Sequence, residues 1–201
     1  MKNLKLFILL AMLSVMSFSC GSDDDNNDSN DNTDNVLVFG DTEYELKSGI
    51  IEDYGLYSDG VYNFDIILIT SEITTEEGEP VPTDTVFSGV YFELFTDNQE
   101  DLEVGTYTFG SDDANAYEYG DIIINASVDS DDDNFFEITS GTFTVLNNGS
   151  NYEFDFEGSV EGGTEFSGHY EGTLLAFDNT EDDLDRSSTP SLKAKRQSFK
   201  K

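Results

Sequence analysis

The region from Val36 to Asp185 is predicted to be all-β, an antiparallel β-sandwich of about nine or ten strands, on three observations. Apolar residues there recur at every second position, the period of a half-buried strand. Gly-rich punctuation cuts these runs into short pieces. No segment of the region carries a helical period.

Taken in order, the strands are expected at Val36–Phe39, Glu43–Leu46, Ile50–Tyr54, Val61–Ile73, Thr85–Thr96, Gly105–Phe109, Tyr117–Val128, Phe135–Leu146, Tyr152–Val160 and Glu165–Phe177. The stretch Glu76–Asp84 holds Pro80 and Pro82 and is expected to be an exposed excursion. A closed, lipocalin-like meander barrel is the alternative architecture, since Gly-rich hairpins with aromatics on one face serve either.

The last three strands can be put in register. Asn148-Gly149 between two alternating runs is a strong hairpin signal, because both turn residues need positive φ. It sets Val145 opposite Tyr152, Phe143 opposite Phe154 and Gly141 opposite Phe156. A three-residue turn Gly162-Gly163-Thr164 then sets Val160 opposite Phe166, Gly158 opposite Gly168 and Phe156 opposite Tyr170. The core face of this meander reads Phe143, Val145, Tyr152, Phe154, Phe156, Val160, Phe166, Tyr170 and Leu174. Each large side chain buried is worth roughly 1.5–3 kcal/mol.

The opposite face reads Thr142, Thr144, Glu153, Asp155, Glu157, His169 and Glu171, with His169 expected across from Glu157 and Asp155 across from Glu171. Like charges across a ladder repel unless a cation or water separates them, so this face is a candidate ligand site. Glu153-Phe154-Asp155-Phe156-Glu157 resembles the Glu-x-Asp-x-Glu strand of laminarinase-type retaining glycosidases. The resemblance implies Glu153 as nucleophile, Asp155 as its helper and Glu157 as acid/base, with carboxyls about 5–5.5 Å apart. The chain has no Trp on which to stack sugars. No catalytic residue is therefore assigned, and a glycan hydrolase is the second reading.

Asp129, Asp131 and Asp133 alternate through the acidic run Asp129–Asn134, a spacing that suits oxygen ligands around calcium. No cofactor is required, and Ca²⁺ is the one candidate. Asp112, Asp113 and Asn115 form a weaker cluster. His169 is the only His and Cys20 the only Cys, which excludes an internal disulfide and a Cys-rich zinc site. With 9 Lys+Arg against 43 Asp+Glu, a formal charge of −34, nucleic acid is excluded as a partner. From Val36 to Asp185 there are 37 acids and a single base, Lys47, too few chemically versatile groups to favour an active site.

The two ends differ from the middle. Lys2 and Lys5 precede the apolar run Leu6–Val15, then small and mixed residues lead to Ser19 and Cys20. This segment resembles a bacterial lipoprotein signal, with residues 1–19 removed and Cys20 lipidated. Ser17 and Phe18 depart from the commonest residues at their positions. Ser22 followed by Asp23, Asp24 and Asp25 resembles the export signal of Bacteroidota lipoproteins, which implies the outer face of the outer membrane. Residues 20–35 form an acidic tether with nothing to bury. Residues 186–201 turn basic, with Arg186, Lys193, Lys195, Arg196, Lys200 and Lys201. This tail is expected to be disordered, or else to dock on the acidic body or on lipopolysaccharide phosphates. Asp84-Thr85-Val86 resembles the O-glycosylation sequon of Bacteroidota surface proteins.

The expected function is a surface lipoprotein serving as a non-catalytic binding module for a glycan or protein. The carriage of a small apolar ligand in a barrel lined by Phe143, Phe154 and Tyr170 is a third reading.

Overall fold

Alternation produces strands throughout the described part of the acidic region. The structure is a computed structural model and describes residues 35–128 and 134–180. The strands are β1 (Val36–Phe39), β2 (Thr42–Glu45), β3 (Ser48–Ser58), β4 (Val61–Ile69), β5 (Ile73–Glu76), β6 (Glu79–Pro82), β7 (Val86–Thr96), β8 (Gly105–Phe109), β9 (Ala116–Ser127), β10 (Asn134–Asn147), β11 (Tyr152–Val160), β12 (Glu165–Gly172) and β13 (Leu174–Asp178). The all-β expectation holds. Eleven strands form one sheet in the order β13-β3-β4-β7-β9-β8-β10-β11-β12-β1-β2, and β5 and β6 pair separately.

The two layers expected of a sandwich are two flanks of this one sheet, curled into a half-barrel. Phe92 on β7 shows the curl. Its ring lies 4.7 Å from Phe143, 5.5 Å from Phe156 and 6.5 Å from Phe166, centroid to centroid. In a flat sheet β7 and β12, five places apart in that order, would be separated by about 24 Å. Among the described residues the sheet stays open, with β13 and β2 as its edges.

Pairing is antiparallel except at two places, where β13 runs parallel to β3 and β8 parallel to β9. The predicted run Glu165–Phe177 breaks at Thr173, whose carbonyl accepts the Tyr170 hydroxyl (3.2 Å), and continues as β13 on the far edge. One alternating run therefore serves both flanks.

The proline-containing stretch is a paired hairpin and not a loose excursion. Glu77 (φ 54°) and Gly78 (φ 96°) both adopt left-handed backbone, the requirement of a tight two-residue hairpin turn. In a two-stranded ribbon Pro80 and Pro82 occupy an edge strand, where a missing N–H is tolerated. Both prolines are buried.

The registers of the last two hairpins differ from expectation by two residues. Phe143 pairs with Phe156 and Val145 with Phe154, because a bulge lies between Val145 and Asn147. Asn148 does not take left-handed backbone. Its side-chain amide instead donates to the Leu102 carbonyl (2.6 Å), a tertiary bond that the local turn signal does not contain. At the next turn Val160 N–H donates to the Thr164 carbonyl (3.0 Å), so the loop is Glu161-Gly162-Gly163. Phe154 then faces Tyr170, Phe156 faces Gly168, and Gly158 faces Phe166. A slip of two keeps every side chain on its own face. Accordingly all nine expected core residues line the inner cluster, eight of them buried and Leu174 partly so.

Gly158 and Gly168 are close-approach positions within this interlock. A Cβ on Gly168 would lie 2.3 Å from Phe156 Cζ, and one on Gly158 would lie 2.8 Å from Phe166 Cζ. Each aromatic ring thus covers the glycine opposite it, which lets β11 and β12 curve around the core.

Candidate functional site

Strands β8, β10, β11, β12 and β1 turn their polar positions outward as two ordered rows. Pairing aligns Thr108, Thr142, Glu157, Ser167 and Val38 in one row. It aligns Thr106, Thr144, Asp155, His169 and Val36 in the next. The Thr106 and Thr144 hydroxyls are 3.2 Å apart. Two depressions lie along these rows, one of about 490 Å³ walled by Thr142, Thr144, Asp155, Glu157, Ser167 and His169. The other, of about 530 Å³, continues past Glu157 toward Ser140, Ser159 and Glu165.

His169 does not face Glu157 as expected, and Asp155 does not face Glu171. The two-residue slip sets His169 opposite Asp155, with Nδ1 2.8 Å from Oδ1, and sets Glu153 opposite Glu171. The His169 side chain is 14% exposed and that of Asp155 is 56% exposed, so water screens the pair and its worth is about 1 kcal/mol or less. Glu171 also accepts the Asn151 amide (3.1 Å), which pins the neighbouring row. Through Glu153–Glu157 the β11–β12 pairing is unbroken. Four residues of regular strand separate the two Cα atoms by about 13 Å.

The remaining predicted positions fall as follows. Cys20, Ser22, Asp23, Asp24 and Asp25, the loop residues Asp129, Asp131 and Asp133, and the basic tail lie outside the described residues. Among the described residues no group of three or more His, Cys, Asp or Glu is placed to hold a metal ion. Asp113 engages Ser111 (3.0 Å) and is exposed. Asp84, Thr85 and Val86 are exposed where β6 leads into β7. The rings suggested as a ligand cavity fill the core instead: Phe143 lies 4.9 Å from Phe154, and Phe154 lies 6.4 Å from Tyr170.

A second constellation escaped the sequence reading. On the outward face of the other flank, pairing aligns Glu52, Asp65, Glu93 and Tyr119 across β3, β4, β7 and β9. Tyr91 faces Asp121 in the adjoining row. Asp65, Asp121 and Glu93 are only 0%, 2% and 6% exposed. Tyrosine hydroxyls serve the acids: Tyr91 donates to Asp65 (3.0 Å), Tyr119 to Asp121 (2.6 Å) and Tyr54 to Glu52 (3.0 Å). Around them lies an apolar cluster of Ile50, Ile67, Ile69, Phe87, Tyr91 and Ile123. The signal was present in sequence as a Tyr and an acid two positions apart, three times over: Glu52/Tyr54, Tyr91/Glu93 and Tyr119/Asp121. On a strand that spacing shares a face.

Comparison with known proteins adds no likeness: no protein-family model, no curated protein and no solved structure matches this chain.

Proposed function

We propose that this chain is a lipid-anchored lipoprotein of the outer membrane, presenting at the cell surface a non-catalytic module that binds a neutral, polyhydroxylated ligand such as a glycan. The observation that carries the reading is the pair of depressions over the rows Thr142–Glu157–Ser167 and Thr144–Asp155–His169. Hydroxyls there can donate or accept, and the carboxylates accept, which suits sugar hydroxyls. Each depression falls within the usual range of small-ligand sites. A charge of −34 disfavours anionic ligands. Between Val36 and Asp185, Lys47 and His169 are the only Lys, Arg, His or Cys residues, which favours binding over hydrolysis.

The anchor reading rests on the order Lys2, Lys5, apolar run, Cys20 and Ser22-Asp23-Asp24-Asp25. Protease added to intact cells should remove the domain, and full protection until lysis would overturn surface exposure. Calorimetric titration with neutral oligosaccharides should detect binding that Thr142→Val with Ser167→Ala abolishes. No heat with any neutral glycan would overturn the ligand class, and release of shorter sugars would restore the hydrolase reading. Calcium at Asp129, Asp131 and Asp133 belongs to the proposal as a stabilising ion. A melt at constant ionic strength should rise in millimolar calcium over EDTA and lose that rise in Asp131→Asn; equal midpoints would remove calcium from the account.

A further inference from the structure

A further depression, of about 350 Å³, shares no lining residue with the two over the hydroxyl rows. Lys47, the only Lys or Arg from residue 35 to 180, lines it together with Glu45 and Asp84. Leu46 belongs to the inner core, so alternation turns Glu45 and Lys47 to the other side. Among the described residues Lys47 forms no ion pair, although both carboxylates share its depression. Opposite charges are thus held apart around one hollow.

Backbone hydrogen bonds build the floor between them. Lys47 N–H donates to the Ile69 carbonyl (2.9 Å) and Thr70 N–H to the Ser88 carbonyl (2.9 Å). The Thr70 hydroxyl accepts Ser88 N–H (2.9 Å), and the Ser88 hydroxyl accepts Asn125 N–H (3.0 Å). At the far end Asn125 takes left-handed backbone (φ 51°), in a bulge between the pairs Phe87–Ala126 and Gly89–Ile123. Glycine is the usual occupant of a left-handed bulge position. Asparagine keeps there an exposed amide that can both donate and accept.

We propose that this depression binds a short zwitterionic peptide, with its carboxylate on Lys47, its ammonium on Asp84 or Glu45, and its peptide group on the Asn125 amide. A plain anion would meet Glu45 and Asp84 as well as Lys47, and a plain cation would meet Lys47, whereas a molecule carrying both charges is complementary to all three. Being neutral overall, it also escapes the repulsion that a charge of −34 exerts on anions. Half-buried Tyr44 and exposed Val86 line the same depression and offer apolar contact to a peptide side chain. Three strand spacings lie between Lys47 and Asn125, about 14 Å along the sheet. An extended dipeptide spans up to about 7 Å, which the Lys47 stem and the Asn125 amide can meet from either side.

The test is a nuclear magnetic resonance titration of the full chain in detergent micelles, following the Ser88 and Asn125 amides. The probes are glycyl-leucine, its N-acetyl form and its C-terminal amide. Glycyl-leucine should shift both signals saturably, and each blocked form should bind at least tenfold more weakly. Lys47→Met, a change at an exposed position, should weaken glycyl-leucine at least tenfold, and Lys47→Arg should restore most of the affinity. Asn125→Gly should weaken it severalfold with an unfolding midpoint unchanged or raised, since glycine adopts this backbone freely. No saturable shift, equal binding of a blocked form, or undiminished binding to Lys47→Met would each overturn the proposal. Binding of glycerophosphoethanolamine in place of the dipeptide would also overturn it, by making the site one for a lipid headgroup.

Discussion

Tyr117→Phe is expected to stabilise the domain, a reversal of the usual effect of a core substitution. Tyr117 is fully buried, and its hydroxyl has no hydrogen-bond partner among the described residues. The ring itself is well held, edge-on to Phe92 at 5.5 Å and to Phe109 at 5.2 Å. A Cβ on Gly141 would lie 2.9 Å from the hydroxyl oxygen, so the missing side chain there leaves room for the oxygen but supplies no acceptor. An unsatisfied buried hydroxyl costs about 1–3 kcal/mol. Removing one oxygen leaves a void of roughly 10 Å³, worth about 0.2 kcal/mol at about 24 cal/mol per Å³. The net gain is on the order of 1 kcal/mol, or about 3 °C in a domain of this size. Tyr107→Phe is the control of opposite sign. Tyr107 is equally buried but donates to the Glu103 carbonyl at 3.1 Å, so its loss should destabilise by about 1 kcal/mol. Urea unfolding of both variants at pH 7 measures the pair. Destabilisation by Tyr117→Phe as large as that by Tyr107→Phe would refute the reasoning, since it would mean that the Tyr117 hydroxyl is satisfied.

Further expectations follow from the same packing. Burial raises the Tyr107 and Tyr170 phenols to about 12 and pushes Tyr117 and Tyr152 up as well. Phenols with raised folded values contribute stability that is intact below about pH 10 and is lost as pH climbs toward 12, by about 1.4 kcal/mol per pH unit for each group; a denaturation midpoint flat from pH 9 to 11.5 would contradict this. Desolvation raises the Asp53 carboxyl, while Gly55 N–H bonds it (2.7 Å). Asp53→Asn, which keeps that acceptor, should therefore stabilise the domain at pH 7 and lose its advantage below about pH 4, and an equal effect at both pH values would assign it to something other than charge. Gly168→Ala should destabilise by several kcal/mol, because its methyl would meet the Phe156 ring and the Val36 carbonyl within 2.4 Å; near-neutral stability in urea would mean that β11 and β12 can shift freely. Asp155→Asn should change stability by less than about 1 kcal/mol yet weaken glycan binding, and a large loss of stability would recast the His169–Asp155 pair as structural.

The parity of side chains was legible in the sequence and the pairing was not, for a physical reason. A strand's two faces follow from alternation alone, so Phe143, Phe154, Phe166 and their partners could be placed inside before any neighbour was known. Register depends on which turn closes, and both turns here are settled by contacts from elsewhere. Asn148 gives up its expected turn to bond the Leu102 carbonyl, and the ring of Phe156 needs the bare backbone of Gly168 beneath it. A shift of two costs nothing in face pattern, so the sequence held no penalty against the wrong register. The site inherited the same error, and His169 was matched with Glu157 when Asp155 stands beside it.

The carboxylate row on the other flank was hidden by a different rule. An acid at an outward position of a strand is ordinarily a solvated one, and in a chain with 43 acids that expectation applies nearly everywhere. What separates Asp65, Glu93 and Asp121 from Asp155 and Glu157 is company. Each of the former lies on the same face as a tyrosine two positions away or one strand across, among Ile50, Ile67 and Ile123. The latter stand among Thr142, Thr144 and Ser167. Aromatic and aliphatic neighbours mark a buried surface, while hydroxyl neighbours mark one that can stay wet. The two faces therefore differ in kind: Thr142, Thr144 and Ser167 set Asp155 and Glu157 among hydroxyls, whereas tyrosines and isoleucines surround the buried Asp65, Glu93 and Asp121.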